Sequence, residues 1–280
     1  MKYFRKRNTG ILFLALLLFF GNVNAQKTLE ERSKSPFEIG TSVTVHSTIL
    51  DEDRVLNIYL PQGYATSNKK YPVIYLLDGS VDEDFIHISG LVQFGSFSWI
   101  NMIPESIVVG IANVDRKRDF TYPTTIAQDK KDFPTTGGSK NFISFIEQEL
   151  QPYINSTYNI SEEKTIIGQS LGGLLAAEIL LTKPQLFDNY IIVSPSMWWD
   201  NESLLKQKPV LAKTHKNIYV GVGSEGPTME TGAIKLRYAL MELYQNKGEI
   251  FFNLFKDQDH GDTLHLAVYD AFEKIFEDQK

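Results

Sequence analysis

The chain has 280 residues, 42% of them hydrophobic and 22% charged, with 19 Gly, 11 Pro and no Cys. This is the composition of a globular protein, and it excludes low-complexity, collagen-like and disulfide-scaffold chains. The missing cysteine also excludes thiol nucleophiles, thiolate metal sites and a lipid-anchored Cys, while a formal net charge of −6 argues against nucleic acid as a partner.

In chain order, Lys2, Arg5, Lys6 and Arg7 precede the uninterrupted apolar run Ile11–Phe20, and Val23-Asn24-Ala25 supplies small residues for cleavage. Residues 1–25 therefore read as a secretory signal peptide. Ten apolar residues are too few to anchor the chain, because a hydrocarbon core needs about 20. Cleavage after Ala25 would remove four cations and no acids, leaving 24 Lys+Arg against 34 Asp+Glu and a formal charge of −10. The expectation is an exported protein, periplasmic or secreted, with residues 26–280 forming a single domain and no stable membrane insertion once the signal is gone.

Gly40–Ile49 and Arg54–Leu60 alternate apolar and polar residues around Asp51-Glu52-Asp53, which predicts an antiparallel hairpin at a sheet edge. Buried strands are predicted over Tyr71–Leu77, Ser106–Ala112, Lys164–Gly168, Tyr190–Val193, Asn217–Val222 and Glu249–Phe255, each rich in Ile, Val, Tyr or Phe. Helices with apolar residues at helical spacing are predicted over Asn141–Ile154, Leu171–Leu181, Thr231–Gln245 and Thr263–Glu277. This alternation implies an α/β fold with a mostly parallel sheet, helices on both faces, and a functional rim at the carboxyl ends of the strands.

The strand Lys164–Gly168 runs through Gly168-Gln169-Ser170-Leu171-Gly172-Gly173 into an Ala- and Leu-rich helix. That strand, turn and helix context is what a nucleophile elbow requires, and it makes Ser170 the candidate nucleophile. A serine needs a base within hydrogen-bond reach. Of five histidines, His260 follows the last strand and precedes the C-terminal helix, where such a fold presents its base; His46, His87, His215 and His265 read as surface or structural. The orienting acid should lie between nucleophile and base in sequence, at the end of a rim strand. Glu225 is preferred, after Ile218–Ser224, and Asp200 is the rival.

Two N–H donors are needed where an oxyanion develops. Leu171 supplies one, and Ser80, in the turn Asp78-Gly79-Ser80, supplies the other. The cluster Asp257, Asp259, His260, Asp262 and His265 could alternatively hold a metal, but a calcium loop starting at Asp257 would place Val268 where its twelfth ligand belongs, so no metal is expected. Trp198 and Trp199, just past a rim strand, are candidates for a pocket wall.

Together, Tyr71–Gly79, Val109-Gly110-Ile111 followed by Arg116–Thr121, Gly168–Gly173, Ser194-Pro195-Ser196 and Asp259-His260-Gly261 resemble the putative-esterase family of α/β-hydrolases. That family includes siderophore esterases, S-formylglutathione hydrolases, feruloyl esterases and mycolyl transferases. The Arg116–Thr121 and Ser194–Trp199 segments are most similar to the periplasmic siderophore-esterase branch. The resemblance implies an α/β-hydrolase fold, a serine carboxylic-ester hydrolase working through an acyl-enzyme on a small-molecule ester, and no cofactor. It also suggests Arg118 and Asp119 as substrate contacts, or as a pair holding a loop over the site. An acyltransferase to a sugar or other alcohol, and a non-catalytic hydrolase-like binding protein, are the competing readings.

Overall fold

The computed structural model describes residues 29–213, 216–245 and 248–277. The predicted signal segment 1–25 and His215 therefore lie outside the described residues. Residues 29–37 carry neither helix nor strand, and residues 38–280 form a unit of their own. Among the described residues, no helix is long and apolar enough to cross a membrane.

The predicted hairpin is present as β1 (Thr41–Ser47) and β2 (Glu52–Tyr59), with Asp51 at φ 53° completing the turn. It forms the antiparallel edge of an eight-stranded sheet in the order β1-β2-β4-β3-β5-β6-β7-β8. The other strands are β3 (Tyr71–Leu76), β4 (Ile107–Ile111), β5 (Ile160–Gln169), β6 (Asn189–Val193), β7 (Lys216–Gly223) and β8 (Gly248–Phe255). β2 meets β4 antiparallel, and every pair from β4 through β8 is parallel. Near-continuous Val, Ile and Tyr in β3, β4 and β6, and buried residues in the second half of β5, fit strands covered on both faces.

The helices are α1 (Phe85–Gly95), α2 (Arg116–Phe120), α3 (Ala127–Asp132), α4 (Ser139–Phe145), α5 (Gln151–Thr157), α6 (Leu171–Thr182), α7 (Pro227–Leu243) and α8 (Thr263–Ile275). One face of the sheet is covered by α4 to α7, whose Phe142, Ile146, Leu174, Leu175 and Leu236 join Val73, Tyr75, Ile166 and Val220 in the larger core. The opposite face is covered by α1 and α8, where Phe85, Ile88, Leu264 and Val268 pack on Ile74, Ile167 and Tyr219. The helix predicted as continuous over 141–154 is interrupted by a π-helical turn, Ile146–Leu150. Pro152 has no N–H to give to an acceptor in the preceding turn, and the wider turn lets the chain continue past it.

The parallel register places the carboxyl ends side by side: Leu76 pairs with Ile167, Gln169 with Val193, and Val193 with Gly221. The turns leaving β3, β5, β6, β7 and β8 therefore open onto one rim.

Candidate active site

Ser170 stands between β5 and α6 with φ 58° and ψ −118°, a region that costs a non-glycine residue of order 1–3 kcal/mol. The surroundings enforce it. Ser170 N–H donates to Val193 O at 3.0 Å, Leu174 N–H donates back to Ser170 O at 2.9 Å, and a Cβ at Gly168 would lie 2.4 Å from Gly172 O. The strained turn lifts the side chain out of the sheet into a cavity of about 670 Å³, lined by Ser170, Ser196, Trp198, Glu225, Met229 and His260, among others. A larger recess of about 840 Å³ lies at the other end of the strands, by Lys70, Ile160 and Lys164, and has no serine and histidine together.

His260 comes from the loop between β8 and α8, and Glu225 from the turn after β7. His260 Nδ1 donates to Glu225 Oε2 at 2.5 Å. The Glu225 side chain is only 2% exposed, whereas His260 is 47% exposed and faces the cavity. Glu225 Oε1 accepts from Gly223 N–H at 2.9 Å and from the Ser194 hydroxyl. Burial pushes the Glu225 carboxyl up, but the hydrogen bonds from His260, Ser194 and Gly223 together with the imidazole charge outweigh it and hold the group below its ordinary 4.5. The hydrogen bond to Glu225 raises His260 above 6.5, opposed by partial burial and the Arg116 charge.

Among the described residues, the Ser170 hydroxyl has one hydrogen-bond neighbour, Ser196 Oγ at 3.4 Å. Leu171 and Ser80 N–H groups donate to no protein acceptor among the described residues. The turn carrying Ser80 is held firmly: Gly79 N–H donates to Ile111 O at 3.0 Å, Asn57 Nδ2 donates to Gly79 O at 2.8 Å, and a Cβ at Gly79 would lie 2.3 Å from Gly110 Cα.

Asp200 is turned elsewhere. Its Oδ1 accepts from Thr125 N–H at 2.6 Å, Thr125 Oγ1 at 2.8 Å and Thr124 Oγ1 at 3.0 Å. Burial pushes its carboxyl up, yet hydrogen bonds from Ser203, Thr125 and Thr124 bring it down to about 2. Three of the other sequence candidates for the pocket, Arg118, Asp119 and Trp199, do not line the cavity beside Ser170. Asp119, with no exposed surface, accepts from Arg54 Nη1 at 2.8 Å and Arg118 Nε at 2.7 Å, and Arg118 in turn pairs with Glu52 at 2.6 Å. These charges close on one another and clamp α2 to β2, in keeping with the structural alternative for the Arg118–Asp119 pair, and neither residue lines the cavity. Trp199 is also fully buried, its Nε1 donating to Tyr122 O at 2.9 Å; Trp198 alone of the two lines the cavity.

The remaining candidates have local partners. Asp259 Oδ1 accepts from Gly261 N–H at 2.7 Å and Asp262 Oδ1 from Asp259 N–H at 2.8 Å, which shapes the His260 loop. His265 lies on α8 with its ring tilted against that of His87 of α1, the centroids 3.6 Å apart, and His46 pairs with Asp53 at 2.9 Å in the hairpin.

Sequence reasoning missed Arg116. Its Nε and Nη2 hold Asp78 at 2.6 and 2.9 Å, and Nη2 also donates to Gln169 O at 3.2 Å, joining the Ser80 turn to the residue before Ser170. Asp78, at φ 54°, marks another strained strand end; its place two residues before Ser80 was the available signal.

Residues 47–260 match the sequence profile of the family described as Putative esterase. The chain belongs to this esterase family. It is 35% identical over 182 residues to the ferri-bacillibactin esterase of Bacillus subtilis (strain 168), a match covering 60% of this chain and 62% of that protein. It is 36% identical over 160 residues to the siderophore triacetylfusarinine C esterase of Aspergillus fumigatus, covering 54% of this chain and 53% of the relative. The chain thus spans less than two thirds of the length of either relative. Among solved structures, an IroE-like serine hydrolase from Shewanella oneidensis superposes with a TM-score of 0.77 at 29% identity, covering 85% of this esterase-family chain and 80% of its own.

Proposed function

We propose that this protein is a serine carboxylic-ester hydrolase that cleaves siderophore-type esters through an acyl-enzyme. The observation that carries the proposal is the Glu225–His260 pair at 2.5 Å, sharing one cavity with Ser170 on its strained turn. Glu225 holds His260 in the tautomer that leaves Nε2 free, and Nε2 takes the proton as Ser170 Oγ adds to the ester carbonyl. The negative charge on the former carbonyl oxygen is met by Leu171 and Ser80 N–H. On collapse the C–O bond breaks, His260 passes its proton to the leaving alcohol, and the acyl group stays on Ser170. Water then adds with His260 again as base, and collapse releases the acid and restores the serine.

The substrate class follows from the similarity to two siderophore esterases, and the open cavity of about 670 Å³ is of a size for a small-molecule ester. Export through residues 1–25 would place the enzyme outside the cytoplasm. The test is turnover of a siderophore ester and a simple aryl ester by the mature chain and by Ser170→Ala, with mass spectrometry of the protein during turnover. The expected result is an acyl adduct on Ser170 and a loss of several orders of magnitude in the variant. Equal turnover by wild type and Ser170→Ala would overturn the proposal.

A further inference from the structure

Glu225 can act on His260 only if its carboxylate is held in one orientation, and the orientation is set by whatever occupies Oε1. Two donors do so: Gly223 N–H at 2.9 Å and the hydroxyl of Ser194. Ser194 is the residue directly after β6, with no exposed surface, and its own N–H donates to Gly221 O at 2.8 Å. Its φ is 43°, a left-handed conformation that glycine would adopt without strain. A turn needing only that backbone would be served better by glycine. What serine adds is a hydroxyl, delivered by the strained backbone to the buried side of Glu225. An observed backbone outlier of this kind is a pointer to function.

We propose that Ser194 is a positioning residue, its hydroxyl pinning Oε1 of Glu225 so that Oε2 meets Nδ1 of His260. This rests on the reading of Glu225 and His260 as a working acid and base. Three charged groups bear on the His260 ring: Glu225 after β7, Asp259 in its own loop, and Arg116 of α2. Removing the Ser194 hydroxyl alters none of them chemically. It leaves Gly223 N–H as the one remaining donor on Oε1 among the described residues, so Oε2 is held less firmly against Nδ1 and the imidazole titrates closer to 6.5.

The experiment compares Ser194→Ala, which keeps the backbone demand, with Ser194→Gly, which relaxes it; both lack the hydroxyl. The His260 imidazole is followed by NMR titration in each folded variant, alongside ester turnover. Both variants should lower the His260 titration midpoint and reduce kcat by up to about 100-fold, the scale of an ångström-level misplacement of an active group, with KM within about twofold. The glycine variant should melt no lower than the alanine one. An unmoved His260 midpoint in both variants, or wild-type kcat in Ser194→Gly, would overturn the assignment. The titration needs no turnover, so a wild-type chain that hydrolyses no ester would defeat the proposed function while a lowered midpoint still upheld Ser194.

Discussion

Gln169 Nε2 donates to the backbone carbonyl of His260 at 2.7 Å, so the residue preceding Ser170 straps down the loop that presents the imidazole. Replacing Gln169 with Leu keeps the bulk and removes the donor. The expected outcome is a stability change near ~1 kcal/mol, the usual net value of one hydrogen bond, with a fall in kcat of about tenfold and little change in KM. Steady-state kinetics beside a urea melt separates the two effects, and an unchanged kcat would show that the strap is dispensable.

Glu225→Gln should fold normally and lose turnover by up to about 10⁴-fold, because an amide favours the wrong imidazole tautomer. Asp200→Asn should behave differently. Its partners are Thr124 and Thr125, so the cost is expected in the melting temperature rather than in the chemistry. If Asp200→Asn proved the more damaging to kcat, the acid would have to be reassigned.

The rate should fall on the acid side with a midpoint above 6.5, because His260 must be neutral to accept a proton and Glu225 raises it. In Glu225→Gln the midpoint of kcat/KM should move down. The same pair shapes stability with opposite signs. The raised imidazole contributes stability that is complete below 6.5 and lost as pH rises through its folded value; the lowered Glu225 contributes stability above 4.5 that is lost as pH falls through its folded value. A rate profile with its acid midpoint below 6.5 in the wild type would contradict this arrangement.

Trp198 and Trp199 are neighbours in sequence with different surroundings, and their alanine variants should separate accordingly. Trp199→Ala should cost about 3–5 kcal/mol of unfolding free energy, as large core aromatics do. Trp198→Ala should leave most of the stability intact and raise KM for aryl-acyl esters more than for acetyl esters. Calorimetry with a two-substrate kinetic comparison checks both, and equal KM changes would mark Trp198 as packing.

Asp119→Asn should leave Arg54 buried with only Glu52 as a charged partner, at a cost of about 3–5 kcal/mol, the usual penalty for stripping one side of a buried ion pair. Chemical denaturation should show this with KM for small aryl esters unchanged. A raised KM with unaltered stability would return the residue to the substrate pocket.

Much of the sheet was legible because its strands are short β-branched runs ended by turn residues, and because the hairpin alternates cleanly on an open edge. The turn at Ser170 was legible because glycine at 168 sits where the backbone leaves no room and glycine at 172 packs closely against the Asp78 and Leu77 side chains. The helix Phe85–Gly95 was not predicted. It contains Gly90, and Asp84 before it makes no side-chain cap, so neither periodicity nor a start signal stands out. The closure of Arg118 and Asp119 onto Glu52 and Arg54 depends on pairs 65 and 66 residues apart, which local pattern does not encode. The tryptophans illustrate the same limit at short range, since a kink with left-handed residues at 200, 201 and 202 follows them and spacing no longer tells which ring faces the cavity.

Asp78, Ser170 and Ser194 all sit at positive φ at the ends of three parallel strands. A laboratory selection for heat tolerance alone would favour glycine at Ser170 and Ser194, since glycine relaxes a left-handed backbone, but not at Asp78, whose carboxylate is held by Arg116. At Ser170 and Ser194 the hardier chains would lack a hydroxyl of the site, so screens for robustness and screens for turnover should enrich different residues at the same positions. Any campaign to toughen this fold should therefore hold these three codons fixed and seek its gains at the surface of the helices instead.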